Sequence, residues 1–334
     1  MKRVFIKLVS FIAVMTMALS MSGCLGSGGF DLETTAPDST VETIPTTAKP
    51  YVRIEFDAVK NPYFAMLDGT CKNAYSQVYE ELSAGNQKFE MRIEVNADQL
   101  TKAIDAILCD HPELFWLDNT YGYTYDPSNG YIRELTFNFF DFADTPEKLA
   151  AARAEFDAAV NSVVAQAMTY PTLVERELFV HDYICENTEY DTNAPYHQSA
   201  YSALILHKSV CAGYTRSFQY IMQKLGATCY CVMGRTEGLS GQVVGATDDS
   251  GSHSWNMILI EGQYYNVDCL WDDTASETYG SPIYPFFNVP DASLAYHARS
   301  NSSVNLPICT ATDYKYSNQF GPTVEVENIV FTDA

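Results

Sequence analysis

Apolar and polar positions change period several times along this 334-residue chain, and each change marks an element. "YVRIEF" and "KFEMRIEV" alternate residue by residue, which predicts strands, while Asn73 to Leu82 and Ala97 to Leu108 carry the three-to-four spacing of helices. "YGYTYDPSNGYIRELTFNF" reads as two aromatic-rich strands around a Ser-Asn-Gly turn. Residues 51–143 are therefore expected to form a smaller mixed α/β domain with no catalytic constellation. His111, just before Pro112, sits in a predicted loop and reads as structural.

Residues 144–334 are expected to form a second, larger domain. Thr145 as a cap and Pro146 in the first turn open a long helix running to about Met168. A second helix, from Leu173 to about Asn187, places Val174, Leu178, His181 and Cys185 on one face, and a histidine on such a stripe reads as a hydrogen-bonded core residue. "ATCYCVMG" has the alternation of a strand. "SHSWNMILIEGQYYNVDCLWDD" reads as a hairpin, His253 to Ile260 and Gln263 to Leu270, joined by the two-residue turn Glu261-Gly262.

The first residues have a different pattern. "MKRVFIKLVSFIAVMTMALSMSGC" has a basic start, an apolar run from about Leu8 to Leu19 too short to span a membrane, and small residues before Cys24. It predicts an export leader over 1–23. "SMSGC" resembles a bacterial lipobox, which implies lipid attachment at Cys24 and anchoring to the outer face of the cytoplasmic membrane. Residues 24–50, rich in Gly, Thr and Pro, cannot bury enough apolar surface to offset chain entropy and read as a flexible tether.

At 47% apolar the rest of the chain can bury a sizeable core. A formal charge of −22 repels phosphate backbones and excludes nucleic acid as a partner class. Of nine cysteines, Cys229 and Cys231 have neither the spacing nor the partners of a metal motif, and neither a metal nor a cofactor is called for. The sequence does not give disulfide pairings.

Cys211 stands out. "KSVCAGYTRSFQYIMQKLG" puts it in the first turn of a helix whose Tyr214, Phe218, Ile221, Met222 and Leu225 share a broad face. Unsatisfied N–H groups and the positive end of the helix dipole favour a thiolate there. The predicted hairpin supplies its base: if Ile260 pairs with Gln263, Trp255 falls opposite Asp268, and His253 lies diagonal to Asp268 on the same face. The chemistry this permits is nucleophilic attack by Cys211, proton transfer by His253 and orientation of the imidazole by Asp268.

Three stretches together carry a resemblance: "SVCAGYTRSFQYIMQKLG", "SHSWNMILIEGQYYNVDCLWDD" and "VHDYICENTEYD". They resemble the bacterial branch of the transglutaminase-like superfamily, relatives of papain-type cysteine proteases, with its C-x-G-Y, H-x-W-N and V-D-x-x-W-D-D signatures at Cys211 to Tyr214, His253 to Asn256 and Val267 to Asp273. The resemblance implies an α+β fold with a nucleophile helix packed on an antiparallel sheet, and Cys211, His253 and Asp268 as the triad. Ala212 stands where an acidic residue is common and Ser254 where alanine is common, neither expected to touch the chemistry. For the oxyanion the candidates are the Cys211 N–H, Tyr190 and Gln198, and Tyr190 is alternatively a core tyrosine. Trp255 and Trp271 could wall the acyl site, with packing the rival account. Asp272 and Asp273 read as a solvated loop rather than a Ca²⁺ site. His297 resembles a family position in the tail and is given no role.

The expected function is acyl transfer through a Cys211 thioester on a protein or peptide substrate, such as a cell-wall peptide, with hydrolysis favoured. The alternatives are an amine-transferring, cross-linking transglutaminase or a non-catalytic surface binding module that keeps the fold. Thr236 to Ser252, long and glycine-bearing, reads as a loop beside the site.

Overall fold

The computed structural model describes residues 2–7, 52–236, 252–294 and 296–324. In chain order its elements are β1 (Lys2–Lys7), α1 (Pro62–Met66), α2 (Gly69–Ser83), β2 (Lys88–Glu90), α3 (Ala97–Asp110), β3 (Leu117–Tyr125), β4 (Ile132–Phe139), α4 (Pro146–Ala167) and α5 (Leu173–Asn187). Then follow β5 (Glu189–Tyr190), α6 (Ala200–Ile205), β6 (Lys208–Ser209), α7 (Cys211–Lys224), β7 (Thr228–Thr236), β8 (Ser252–Ile260), β9 (Gln263–Val267), α8 (Cys269–Tyr279), β10 (His297–Arg299) and α9 (Tyr316–Gln319).

The architecture is mixed α+β, with two four-stranded antiparallel sheets, ordered β1-β3-β4-β2 and β10-β7-β8-β9, and a short parallel pair, β5-β6. Residues 2–7, read above as the basic start of a leader, form the edge strand β1 against β3. Cys24 and the tether over 24–50 lie outside the described residues, as does most of the Thr236 to Ser252 loop. Among the described residues no helix is long and apolar enough to cross a membrane.

Two predicted strands fall short for identifiable reasons. Residues 52–57 form no strand because Ser76 on α2 takes both backbone groups of Ile54, accepting from its N–H at 2.6 Å and donating to its carbonyl at 3.2 Å. "KFEMRIEV" is a regular strand only over Lys88–Glu90: the Gln77 side chain then donates to Glu90 O and accepts from Arg92 N, and single backbone bonds, Met91 N to Arg133 O and Ile132 N to Val95 O, carry the contact on. The helices match closely. Thr145 caps α4, and a reciprocal Thr172/Glu175 capping box opens α5.

One hydrophobic core runs without a break from Tyr63 to Cys309. Polar ties cross it: the Tyr63 hydroxyl donates to Cys231 O at 2.8 Å, Gln219 to Cys109 O at 2.9 Å, and Ser199 to Phe115 O at 2.6 Å. At its centre lies α7. Every residue from Cys211 to Met222 is buried, so the helix has no solvent face where the sequence predicted an apolar stripe on one broad side. It packs on β7 and β8, with α4, α5, α6 and α8 around it. Gly213 permits that enclosure, since a Cβ there would lie 1.8 Å from Ser209 Oγ and 2.6 Å from Ser209 Cβ.

Candidate functional site

The β8–β9 hairpin has the register the sequence implied: Ile260 faces Gln263 and Asn256 faces Val267 around Glu261 (φ 48°) and Gly262 (φ 81°). Two consecutive positive φ values are what a tight hairpin turn with the right twist demands. The second strand is shorter than predicted, however. It stops at Val267 because Asp268 turns its Oδ1 to the Trp271 N–H (3.0 Å) and becomes the N-cap of α8. Cys269, Leu270, Trp271, Asp272 and Asp273 are therefore helical rather than strand or loop.

The cap fixes Asp268 while leaving Oδ2 free to serve the strands. His253 Nε2–H donates to Oδ2 at 2.5 Å. With Nε2 so engaged, Nδ1 is the nitrogen left to face the Cys211 sulfur, whose ionisation is coupled to the ring. All three residues are buried, at 6%, 6% and 1% exposure for Cys211, His253 and Asp268. Cys211 is the first residue of α7, and its N-cap, Val210, offers no side-chain cap; the Gly213 N–H turns back to Val210 O at 2.9 Å, and the N–H groups of Cys211 and Ala212 are the ones placed to meet a charge at this end.

Electrostatics follow from these contacts. Burial pushes the Cys211 thiol up, but the hydrogen bond and charge of His253, joined by the N–H and hydroxyl of Ser254, outweigh it and leave the pKa below the ordinary cysteine value. Ser254 thus meets the sulfur, contrary to the expectation that it stands apart. Burial alone would lower His253, yet Asp268's charge and hydrogen bond carry it up to about 10. Asp268 itself, despite burial, is held below the usual carboxylate range by His253 and His297. Both shifts favour the thiolate and imidazolium over the neutral pair.

Tyr190 and Gln198 both lie near this helix start. Tyr190 pairs with Ser209 in the β5–β6 ladder, two residues before Cys211. Burial first and the nearby Cys211 second raise its hydroxyl to about 12, but with 45% exposure it is not a core tyrosine. Gln198 is 6% exposed and its Nε2 has no hydrogen-bond partner. Its neighbour His197 accepts through its carbonyl from Ser209 Oγ (2.7 Å) and Val210 N (3.3 Å), which pins the segment against the start of α7.

The remaining motif residues form the frame. Trp255 is buried and donates to Asn266 Oδ1 (3.1 Å), its ring stacked 6.1 Å from His253, while Trp271 lies 5.9 Å from His253 and 4.4 Å from His297. Asn256 donates to Thr215 O and Tyr230 O, tying β8 to α7 and β7. The Tyr214 hydroxyl donates to Asp273 Oδ2 at 2.9 Å, and Asp272, 1% exposed, bonds His181 Nε2 at 3.0 Å and accepts from Phe286 N at 2.7 Å. The reading of these two aspartates as a solvated loop is thus overturned: they anchor α8 to α7 and α5. His111 is buried, bonded to Tyr75 and Glu113 at 2.7 Å each.

His297 was missed by the sequence reading. Its Nε2–H donates to the same Asp268 Oδ2 at 2.9 Å. His253, Asp268 and His297 are the trio among the described residues close enough to share a cation. Their N···O separations of 2.5 and 2.9 Å are nevertheless those of hydrogen bonds, because two ligands of a tetrahedral zinc stand about 3.3 Å apart. Every cysteine among the described residues carries a free thiol.

Comparison with known proteins locates the family signal on this part of the chain. Residues 158–269 match the Transglutaminase-like superfamily. That segment is similar to transglutaminase-like domains. Human kyphoscoliosis peptidase is 24% identical over 175 residues, and the mouse protein 22%, an alignment covering 51% of this chain and 26% of either relative. The chain thus spans about a quarter of the length of these curated relatives. A solved structure described as the crystal structure of a TGase aligns with 14% identity and a TM-score of 0.31, over 55% of this chain and 50% of that one. Cys211, His253 and Asp268 all fall within the matched segment, and His297 falls beyond it.

Proposed function

We propose that the transglutaminase-like domain is a cysteine acyl-transfer enzyme that hydrolyses peptide or amide bonds. The observation that carries this reading is Cys211 at the N-terminus of a buried helix beside a His253 that is hydrogen-bonded to Asp268, with the thiol pKa lowered and the imidazole pKa raised. The Cys211 thiolate attacks the carbonyl carbon and the C=O pair moves to oxygen. As the C–N bond breaks, His253 delivers its proton to the departing amine and a thioester remains. Water then attacks with His253 as base, and the C–S bond breaks to return the thiolate. The Cys211 N–H and the unpartnered Gln198 Nε2 are the donors best suited to the oxyanion. Tyr190 stands at the edge of the same site, and Trp255 and Trp271 back the imidazole rather than face a substrate.

Similarity to proteins named as peptidases favours water over an amine as acceptor. The working location is the outer face of the cytoplasmic membrane, with Cys24 lipid-modified and a protein or cell-wall peptide as substrate; the strongly acidic chain suits no nucleic acid. Loss of labelled-palmitate incorporation in Cys24→Ser tests the anchor. For the chemistry, purified protein is treated with iodoacetamide across pH and mapped by mass spectrometry. Fast labelling of Cys211 below pH 7 that depends on His253 is the expected result. A Cys211 no faster than a free peptide thiol would leave only a binding module. Peptide mixtures incubated with a fluorescent amine then separate mass gain by water from amine incorporation, which would mark a transglutaminase.

A further inference from the structure

Asp268 serves two imidazoles, not one, and the second comes from beyond the residues that match the family. His297 lies on β10, a three-residue strand paired with the outer part of β7, where it faces Thr236. Its side chain is fully buried, packed by Trp271 (4.4 Å between centroids), Trp255 (5.0 Å), His253 (5.3 Å) and Phe286 (5.7 Å). Two backbone features bring it there. Tyr296 adopts φ 70°, a left-handed conformation that is costly for a side chain of its size and persists only where the surroundings impose it. Gly234 on β7 lets β10 close in, since a Cβ there would lie 2.4 Å from Ala298 O and 2.5 Å from the Trp255 ring.

From this geometry we infer that His297 is a positioning residue for the proposed reaction: its Nε2–H clamps Asp268 Oδ2 and divides that oxygen's charge between two imidazoles. The inference rests on the reading of Cys211, His253 and Asp268 as the reacting group. Oδ1 is held by the Trp271 N–H, so with His297 in place the carboxylate accepts three donors and cannot rotate. Without His297, Oδ2 would answer to His253 alone. The imidazolium would then be held more strongly and would give up its proton to a leaving amine less readily.

Among the described residues, these ionisable groups lie around His297. Asp268 and His253 touch it, Cys211 lies beyond His253, and Asp272 sits one turn along α8 from Asp268. On its own strand Arg299 is committed to Asp291 and to the carbonyls of Leu306 and Pro307. Arg235, on β7, pairs in register with Ala298 and is exposed. None of these replaces an N–H donor at Oδ2.

Three variants test the inference through the pH profile of Cys211 alkylation by iodoacetamide and through turnover of any peptide the enzyme hydrolyses. His297→Phe keeps the aromatic packing and removes the donor. His297→Gln places an amide N–H near the Nε2 position, and His297→Asn is too short to reach Asp268. In the Phe and Asn variants the alkaline inflexion, where His253 loses its proton, should move up by about one unit, and kcat should fall on the order of tenfold. The Gln variant should match the parent within about twofold. If Phe does not fold, as judged by circular dichroism, the Asn and Gln pair decides. Inflexions unchanged in Phe and Asn, or displaced equally in Gln, would overturn the role of His297 while leaving the proposed chemistry intact. A parent protein whose Cys211 ionises like a free thiol would instead remove the reading beneath it.

Discussion

Two places in this molecule bring a cysteine, a histidine and an aspartate together, and they are built to opposite ends. Around α7, Cys211 meets His253, which bonds Asp268. On α5, Cys185 lies 3.9 and 4.0 Å from the two ring nitrogens of His181, which bonds Asp272. Both histidines and both aspartates are buried, Cys185 being partly buried where Cys211 is fully so, and both imidazoles are pushed above the ordinary histidine value. The cysteines diverge: burial leaves Cys185 well above the ordinary thiol pKa, while His253 and Ser254 bring Cys211 below it despite burial.

Three differences account for this. Cys211 opens its helix, where the dipole favours negative charge, whereas Cys185 lies in the last turn of α5, where the dipole opposes it. Both nitrogens of His181 are taken by carboxylates, Asp182 at 3.1 Å and Asp272 at 3.0 Å, while His253 spends only Nε2 on Asp268. The Cys185 thiol donates to Cys269 O at 3.2 Å, a bond that requires it to keep its proton. A histidine and an aspartate beside a thiol do not suffice; one imidazole nitrogen must be free to receive the proton, and the backbone must welcome the sulfur's charge.

The sharpest break of this comparison exchanges the sulfurs. Cys211→Ala should abolish hydrolysis and remove the fast alkylation below pH 7, while Cys185→Ala should leave both within about twofold of the parent. Peptide mapping after labelling reads this directly, and fast modification at Cys185 in the folded protein would undo the contrast. The pH dependence has a definite sign. Reactive thiolate is present above the lowered Cys211 pKa, and the imidazolium needed to protonate the leaving group is lost as pH rises through about 10. Turnover should therefore fall on both sides of a neutral to mildly alkaline plateau.

Next come the carboxylates. Asp268→Asn retains a good helix N-cap, so α8 should stay in place while the ring loses its orienting charge; a fall in kcat on the order of 10³- to 10⁴-fold is expected with little change in thermal midpoint. Asp272→Ala should do the reverse. It strands the buried His181 and the Phe286 N–H, which should lower stability by about 3–5 kcal/mol in urea unfolding and leave Cys211 alkylation in the folded protein unchanged. Equal losses of activity in the two variants would mean that the sites are not separable.

Much of the candidate site was legible because local rules fix it. A cysteine at a helix start follows from the apolar spacing after Gly213, and the register that puts His253 and Asp268 on one face follows from a two-residue turn. What escaped the sequence depends on contacts with no local pattern. "DCLWDD" follows the strand with an apolar run and no break, so the cap that ends β9 and starts α8 shows only once Asp268 meets the Trp271 N–H. Asp272 looked solvent-facing because its partner, His181, is far away in sequence. His297 lies on a three-residue strand that follows a left-handed residue, too short for any period to register.

Ser254 gives the smallest and most local test of why the two thiols differ. Its hydroxyl lies within 3.1 Å of Thr215 Oγ1, and both its hydroxyl and its N–H, which no substitution removes, favour the Cys211 thiolate. Ser254→Ala deletes the hydroxyl and keeps the N–H, the helix start and His253. Thiolate stabilisation should therefore weaken without collapsing: the acidic inflexion of the alkylation profile should rise by a few tenths of a unit, and kcat/KM at pH 6 should fall about twofold. Cys185, which has no such donor and itself donates to a carbonyl, should show no change. An inflexion in Ser254→Ala that rises to the free-thiol value would mean that the hydroxyl, rather than His253 and the helix terminus together, sets the character of Cys211.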